Sequence, residues 1–293
     1  MQATEHPKQL NIDSLGILAG GGQLPARLAD ACEHSGIIPF IIAFKGHTDP
    51  DLVRNRNHLW TRLGRAGKVM NCLKSRNIRH LAFAGGIKRP GLSEIRPDWR
   101  AARFFMRTGF RALGDDGLLK AVRRELEAEG FTIHGVQDFI GDILAGSGAI
   151  GSYEPDERHW GDIRAGLRIA RALGAVDVGQ AVVMQDGLCL GVEAIEGTDA
   201  LIRRCDRLKR QGKYAPVLIK TSKPGQDRDM DLPTIGPGTL ENAYQAGFAG
   251  VAIEAGHSLV LNADAVARQA DQYAMFVLGV SADQADQVEH DDA

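Results

Sequence analysis

The sequence is poor in residues that form covalent cross-links or closed metal sites. It has only four cysteines in 293 residues, and none of them shows a paired metal-binding spacing. The nine histidines form neither an HxH nor an HExxH pattern. A disulfide framework is therefore excluded, and scattered cysteines of this kind are typical of reduced thiols in a cytoplasmic protein.

Long hydrophobic runs and a strong net charge are also missing. No apolar run approaches the roughly 18 residues that a membrane-spanning helix needs, and the chain shows no signal-peptide pattern at its start. The 35 basic and 37 acidic residues give a net charge of −2, so no overall field attracts nucleic acid. We therefore predict a cytoplasmic protein that has no transmembrane helix and no nucleic-acid partner.

Length and hydrophobic content predict two α/β domains. The chain is 44% hydrophobic, which is enough for two cores. Apolar runs at residues 15–19, 39–44 and 80–84 alternate with helical patterns, which predicts right-handed crossovers and a Rossmann-like parallel sheet. We place this N-terminal domain at residues 12–146, and we interpret the glycine-rich residues 144–151 as the linker that follows it.

The second half predicts a C-terminal mixed α/β domain at residues 152–280. A hairpin is expected around Asp186-Gly187, with strands at residues 181–184 and 188–193. A homodimer would cover an edge strand of this hairpin near Ala181. A last helix is expected to begin at Asn262. The polar residues 1–11 and the acidic residues 281–293 are predicted to be disordered.

The most charged segment is residues 220–239, KTSKPGQDRDMDLPTIGPGT, which directly follows the apolar run 216–219. Such a run predicts a buried strand that ends in a cleft, where ligands of α/β proteins gather. Lysines can hold phosphate, and carboxylates can hold Mg²⁺. The candidate residues are Lys220, Lys223 and Gln226 for substrate, and Asp227 and Asp231 for metal. The alternative interpretation is a solvated loop with charges of both signs.

A glycine-rich turn, AGGGQLP at residues 19–25, lies between the first predicted strand and helix. Its backbone N–H groups favour an anion. A dinucleotide fingerprint needs a third glycine where this chain has Pro25. Two interpretations stay open, a plain tight turn and a phosphate or sugar contact from Gly20, Gly21, Gly22 and Gln23.

A second polar cluster is EAIEGTD at residues 193–199. Its carboxylates are suited to completing an oxygen-rich metal shell or to binding sugar hydroxyls. We take Glu193 as a candidate metal ligand, and Glu196, Thr198 and Asp199 as candidate substrate contacts. The alternative is that Thr198 and Asp199 cap the next helix while the glutamates are exposed.

A basic amphipathic helix is predicted after Pro97. Its arginines recur at helical spacing (Arg100, Arg103, Arg107 and Arg111), and large apolar residues fill the opposite side (Trp99, Ala102, Phe105, Met106, Phe110 and Leu113). A helix of this kind can lie on an anionic membrane. The alternative is a helix that faces the core and presents a solvated arginine face.

Four motifs, in order along the chain, resemble a known family. They are LGILAGGGQLP at residues 15–25, GDDGLLK at 114–120, VEAIEGTD at 192–199, and KPGQD at 223–227 continuing to DLPTIG at 231–236. Together they resemble the I-type UDP-2,3-diacylglucosamine pyrophosphatases (LpxI type) of lipid A biosynthesis. The resemblance covers nearly the whole chain, and the combination is specific although each motif alone is weak.

The resemblance implies Mg²⁺-dependent hydrolysis of the substrate pyrophosphate to UMP and 2,3-diacylglucosamine 1-phosphate (lipid X), with the lipid nucleotide bound between two domains. It places the family's essential aspartate at Asp227, as a metal ligand or water-positioning base. Asp116 and Lys120 of the second motif become candidate substrate contacts. An amphiphilic substrate also implies transient contact of a cytoplasmic enzyme with the inner-membrane surface.

Two other functional classes stay open from the residues alone. A nucleotide-dependent oxidoreductase is favoured by the Rossmann-like alternation, but the missing fingerprint weakens it. A non-catalytic nucleotide-sugar or lipid-binding protein would keep the basic helix and the glycine turn without needing the aspartate-rich segment. Release of UMP from UDP-2,3-diacylglucosamine, with and without EDTA, separates the three classes.

Overall fold

The chain divides into two compact units. The computed structural model describes residues 10–87, 97–108, 115–210 and 214–286. The first unit extends to Gly141 and also includes Asp227–Asp231, whereas the second comprises Asp142–Gln226 and the chain from Leu232 onward. A single break at residues 144–151 does not anticipate this return of the chain to the first unit. The predicted disordered leader falls mostly on residues 1–9, outside the described part.

The first unit is built on one parallel sheet. Its strands are β1 (Ser14–Ala19), β2 (Ile38–Phe44), β3 (His58–Thr61), β4 (His80–Ala84) and β5 (Thr132–His134), and its helices are α1 (Leu24–His34), α2 (Ala66–Ser75), α3 (Trp99–Thr108) and α4 (Asp115–Ala128). The strand order is β3-β2-β1-β4-β5, with every pair parallel. This confirms the Rossmann-like prediction and places the topological switch point between β1 and β4.

The core of the first unit includes a residue from far along the chain. Phe40 and Ile42 of β2 share a hydrophobic cluster with Leu73 of α2 and Leu126 of α4. Met230 belongs to the same cluster and is only 7% exposed. Burial of a methionine side chain stabilises the fold by about 2 kcal/mol, so Met230 anchors the segment Asp227–Asp231 to this unit.

The second unit is a mixed sheet between two helical layers. Its strands are β6 (Gly148–Ala149), β7 (Ala181–Gln185), β8 (Leu188–Val192), β9 (Val217–Lys220), β10 (Thr234–Ile235), β11 (Gly250–Glu254), β12 (Leu259–Val260) and β13 (Phe276–Val280). Its helices are α5 (Glu157–Ala175), α6 (Thr198–Asp206), α7 (Pro237–Gln245), α8 (Ala263–Tyr273) and α9 (Ala282–Asp286). The main sheet has the order β6-β13-β11-β9-β7-β8, and β10 pairs with β12 separately.

Alternating strand residues supply the two cores of the second unit. Val182 and Met184 of β7 pack with residues of α5, whereas Ala181 and Val183 pack with residues of α6, α7 and α8. This period of two is the expected side-chain alternation of a strand that is covered on both faces. Strands β9, β11 and β13 are parallel, while β7, β8 and β6 are antiparallel to their neighbours, which confirms the predicted mixed sheet.

Four local expectations are corrected by the structure. The predicted linker is not a free linker, because β6 pairs with β13 and Ala145 is buried. The predicted hairpin is present, but β7 lies between β9 and β8, so the hairpin's edge strand is β8. The tail forms α9 at residues 282–286, where Ala285 is buried, and its remainder lies outside the described residues. The helix expected to be last is α8, and strand β13 and helix α9 follow it.

No helix in the described ranges combines the length and the apolar character that crossing a membrane requires.

Candidate active site

The glycine turn lies at the switch point of the first unit's sheet. Gly20 N–H donates to Ala84 O at 2.8 Å, and Gly21 N–H donates to Gly86 O at 2.8 Å, so the loops after β1 and β4 touch. A Cβ atom on Gly20 would lie 2.4 Å from Gly85 O. This close approach explains the glycine without a ligand, as the tight-turn alternative supposed. Gln23 precedes α1 without making a side-chain cap. An anion contact here stays a prediction.

Asp227 is held inside the first unit by an arginine that the sequence motifs did not indicate. Arg123 Nη1 of α4 donates to Asp227 Oδ1 at 2.5 Å and to Asp229 Oδ2 at 2.9 Å, and its Nε donates to Glu127 Oε1 at 2.8 Å. The Asp227 side chain is only 10% exposed, against 35% for Asp229. The backbone N–H of Asp231 donates to Asp227 O at 3.0 Å, which closes a turn.

Around Arg123, three carboxylates surround a single guanidinium group. Partial burial lowers the pKa of the Arg123 guanidinium, but hydrogen bonds from Glu127 and Asp229 and the charges of Asp227 and Asp229 outweigh it and raise the pKa overall. Arg123 is therefore a permanent cation shared by three carboxylates. The local charge is net negative, which is an environment that attracts a further cation.

Helix α4 carries a second basic residue, the candidate substrate contact Lys120, near Arg123. Lys120 and Arg123 are three residues apart, which places them on one face of α4. Lys120 is half-buried and makes a contact of its own. The side chain of Asp116, the other candidate of this motif, lies outside the described part of the structure.

The polar side chains at the end of β9 and in the loop that follows it form hydrogen bonds and an ion pair within the second unit. Lys220 is 5% exposed and its Nζ donates to Thr234 O at 3.1 Å. Gln226, 8% exposed, accepts the N–H of Lys223 at 2.8 Å through Oε1. Lys223 Nζ pairs with Asp177 at 2.5 Å. The second unit thus brings Lys223 and Gln226 together, whereas Asp227 belongs to the first unit, and the substrate roles of Lys223 and Gln226 stay predictions.

Sequence reasoning missed a polar cluster at the end of β11. Glu254 Oε2 accepts hydrogen bonds from Ser222 N–H at 3.1 Å and Ser222 Oγ at 2.9 Å, and Oε1 accepts Arg171 Nη2 at 3.1 Å. Burial raises the pKa of the Glu254 carboxyl, but these donors outweigh it, so the pKa is lowered. Strands β9 and β11 are parallel neighbours, so the signal was available in their two polar carboxyl ends.

The EAIEGTD cluster forms mainly local contacts. Glu193, 7% exposed, accepts Thr198 Oγ1 at 2.6 Å and Gln180 N–H at 3.2 Å. Glu196 pairs with Arg204 at 2.7 Å, and this hydrogen bond lowers the pKa of its carboxyl. Asp199 accepts Asn242 Nδ2 at 3.0 Å. The structure brings Glu193 and Thr198 together, and it gives these residues structural partners while their substrate and metal roles stay predictions.

The predicted metal ligands do not form one preassembled cage. Among the described residues, no group of three or more histidine, cysteine, aspartate or glutamate side chains has the arrangement that holds a metal ion. Asp227 and Asp231 belong to the first unit and Glu193 to the second. The pair that the structure does bring together is Asp227 and Asp229, through Arg123.

Fold and site together define a two-unit α/β protein whose polar residues gather at the carboxyl ends of parallel strands, an arrangement typical of ligand-binding α/β proteins. Family models then match both halves: the LpxI N-terminal domain matches residues 14–143 and the LpxI C-terminal domain matches residues 146–278. The chain belongs to the LpxI family.

One similar curated protein and several solved structures complete the comparison. UDP-2,3-diacylglucosamine pyrophosphatase LpxI of Caulobacter vibrioides is 39% identical over 272 residues, covering 91% of this chain and 97% of that protein. The biotin carboxylase subunit of pyruvate carboxylase has a TM-score of 0.24 at 12% identity, covering 59% of this chain and 35% of its own. N5-carboxyaminoimidazole synthetase of Staphylococcus aureus has a TM-score of 0.23 at 13% identity, with coverages of 68% and 45%. These two scores are too low to support an argument.

Proposed function

We propose that this protein hydrolyses the pyrophosphate of UDP-2,3-diacylglucosamine to UMP and 2,3-diacylglucosamine 1-phosphate, with Mg²⁺ as the cofactor. The observation that carries the proposal is Asp227, a carboxylate that is only 10% exposed and that shares Arg123 with Asp229. The name of the Caulobacter vibrioides relative supports the same reaction. It favours a hydrolase over the oxidoreductase and binding-protein alternatives.

The residues around Asp227 fit a magnesium ion. Mg²⁺ usually binds proteins through one or two carboxylates and completes its shell with water and substrate phosphate. Asp227 and Asp229 meet that requirement, because the contacts to Arg123 use Asp227 Oδ1 and Asp229 Oδ2 and leave the second oxygen of each carboxylate for a cation. When bound, the ion would neutralise charge on the phosphate oxygens and polarise a water.

We assign the chemistry of this chain's own residues as follows. Asp227 orients the attacking water and takes its proton as the water oxygen bonds to phosphorus and the bridging P–O bond breaks. The departing phosphate keeps the electron pair of that bond. Arg123 fixes the Asp227 carboxylate, and Lys120 on the same face of α4 offsets the charge of the phosphates.

The second unit supplies further proposed substrate contacts. Lys220 and Lys223 lie at the carboxyl end of β9, where phosphate-binding residues are expected. Ser222, which lies between these two lysines in the chain, donates two hydrogen bonds to Glu254. We assign Lys220 and Lys223 to phosphate oxygens, and Gln226 and Glu254 to holding this loop in shape.

The exposed face of α3 supports contact with a membrane surface. Trp99 is 77% exposed and Met106 is 70% exposed, and both share a face with the exposed Arg103 and Arg107. The expectation that the arginines lie opposite Trp99 and Met106 is wrong, because the side of α3 opposite this face carries the buried Ala101. A face that mixes large apolar and basic side chains is typical of an interfacial helix. We therefore propose transient docking on the inner membrane.

Two measurements test these proposals. UMP release from UDP-2,3-diacylglucosamine should require a divalent cation, stop with EDTA and return with Mg²⁺. Continued turnover in EDTA would rule out the metal.

Arg103→Glu with Arg107→Glu should lower vesicle co-sedimentation, since each arginine is worth about 1 kcal/mol at an anionic surface. Turnover of a short-chain soluble analogue should survive, and an equal loss on both substrates would contradict the membrane role.

A further inference from the structure

A positively charged cavity opens at one edge of the first unit's sheet. Its volume is about 420 Å³, and it lies where β2 and β3 end. The lining includes four basic side chains (Lys45, Arg62, Arg65 and Lys68) together with Trp60 and Asp98. Because β3 is the edge strand and β2 its neighbour, the cavity lies about 10 Å along the sheet from the switch point between β1 and β4.

The four basic residues of this cavity form no ion pair among the described residues, unlike Arg56 and Arg123 of the same unit. Arg56 pairs with Asp30 and Glu33, and Arg123 pairs with Asp227. Over the described ranges, no carboxylate forms an ion pair with any of the four basic side chains of the cavity. Uncompensated positive charge that converges on a cavity indicates an anionic ligand.

The one acidic residue in the lining is used by the backbone. Asp98 Oδ2 accepts Gly67 N–H at 2.8 Å, and Asp98 Oδ1 accepts Ala101 N–H at 3.0 Å. These bonds tie α2 to the start of α3 and fix the Asp98 carboxylate, and its one negative charge leaves the four basic side chains of the lining in excess. They also place the cavity next to the start of α3, because Trp99, the first residue of that helix, directly follows Asp98.

We propose that this cavity binds the phosphate of an anionic phospholipid headgroup and so forms a second attachment point beside α3. The four basic residues are all exposed at the rim, where they can reach a surface. The neighbouring Trp99 and Met106 are exposed apolar residues, and a tryptophan is typical of the headgroup level of a membrane. This inference rests on the proposed function in one respect, because the lipid substrate of the proposed reaction brings the protein to a membrane.

The test uses the full chain and vesicles of phosphatidylcholine with and without phosphatidylglycerol. Arg62→Gln with Arg65→Gln removes two charges from the cavity, whereas Arg203→Gln with Arg268→Gln removes two exposed charges from the second unit. We expect the cavity variant to bind phosphatidylglycerol vesicles about 30-fold more weakly, as two basic contacts at an anionic surface imply. The control variant should bind within about two-fold of the unaltered protein, and neither variant should change binding to phosphatidylcholine alone.

Two further measurements separate the source of the phosphate and the role of the cavity. Glycerol 1-phosphate at millimolar concentration should not displace the protein from vesicles. If it binds the free protein tightly and only the cavity variant loses it, the ligand is a soluble phosphate and the proposal fails. Turnover of a short-chain soluble substrate should be unchanged in the cavity variant. A matching 30-fold loss there would assign the cavity to the substrate and overturn the headgroup role.

The outcomes also distinguish this inference from the proposed reaction. If UMP release is absent in the unaltered protein while vesicle binding still depends on Arg62 and Arg65, the reaction is wrong and the headgroup site stands. If UMP release is normal and the cavity variant binds vesicles like the control variant, the headgroup site is wrong and the reaction stands. Trp60→Phe, which keeps all four charges, should retain phosphatidylglycerol binding, so a loss there would contradict a charge-based site.

Discussion

The two units complete their cores in different ways. The first unit takes Met230, and with it Asp227 and Asp229, from a segment more than 90 residues beyond its last strand. The second unit builds its two cores from its own strands and helices. In the first unit, the proposed reactive carboxylate and a core side chain therefore lie in the same five residues. We therefore expect stability and reactivity to be coupled in the first unit and separate in the second.

The charged clusters of the two units also differ, in how far their opposite charges balance. At Arg123 one cation is shared by several carboxylates, so negative charge is in excess. At Glu254 one carboxylate accepts three hydrogen bonds from Ser222 and Arg171, so its charge is compensated. The first arrangement suits a bound cation and the second suits a fixed loop. This difference is why we assign the chemistry to Asp227 and the positioning to Glu254.

The largest expected effect is on turnover, from Asp227→Ala. Loss of the carboxylate that orients water should lower kcat by at least about 10²-fold, or about 2.7 kcal/mol of transition-state stabilisation. UMP release measures this. Asp30→Ala removes an exposed carboxylate from the same unit and should leave kcat unchanged. Near-normal turnover in folded Asp227→Ala would show that the catalytic assignment is wrong.

The sequence reveals Asp227 but not its partner. Asp227 stands in a dense charged motif after a strong strand signal, whereas Arg123 is 104 residues away and its helix shows no unusual pattern. Only the fold brings the two together. Strands β1, β2 and β4 were predictable because they are five or more residues long and mostly apolar. Strands β3 and β5 have four and three residues, which is too short for a periodic signal.

Met230→Ala should produce the next largest effect, on stability. Truncating this buried side chain removes packing from the first unit's core and should cost about 2–3 kcal/mol. Hydrogen exchange should rise in β2, α2 and α4, and kcat should fall because Asp227 loses its anchor. The matched control is Met184→Ala, which truncates a methionine that is 2% exposed in the second unit.

Met184→Ala should cost a similar free energy of unfolding but raise exchange in β7 and α5 instead. The kcat of its folded fraction should stay normal. If both variants lower kcat alike, or if Met230→Ala loosens the second unit, the comparison between coupled and separate cores breaks down.

Arg123→Lys should have a smaller effect, of about 1–2 kcal/mol. Lysine keeps the positive charge but lacks the planar fork that contacts Asp227, Asp229 and Glu127 together. We expect kcat to fall about 10-fold with KM little changed, because the carboxylate is misplaced while the substrate still binds. Arg124→Lys on the exposed side of α4 should behave like the unaltered protein. A change confined to KM would mean that Arg123 binds substrate.

The smallest expected effect appears at alkaline pH and concerns one buried thiol in each unit. Burial raises the pKa of Cys32 in the first unit from 9.0 to about 12, and that of Cys205 in the second to about 11. Below pH 9 both thiols are neutral in the folded and unfolded states, so this part of the stability is fully present. As pH rises above 9 the unfolded chain releases protons that the folded chain keeps, so stability falls.

Each thiol should cost about 1.4 kcal/mol of stability at pH 10. Cys32→Ala and Cys205→Ala should each flatten the decline in the free energy of unfolding between pH 8 and pH 10.5, measured by urea denaturation. If the units unfold independently, Cys32→Ala will flatten only the first unit's transition and Cys205→Ala only the second's. Because that result depends on which unit's core buries each thiol, it would extend the comparison of the two units beyond the segment Asp227–Asp231. Curves that stay parallel to that of the unaltered protein would contradict the burial of both thiols.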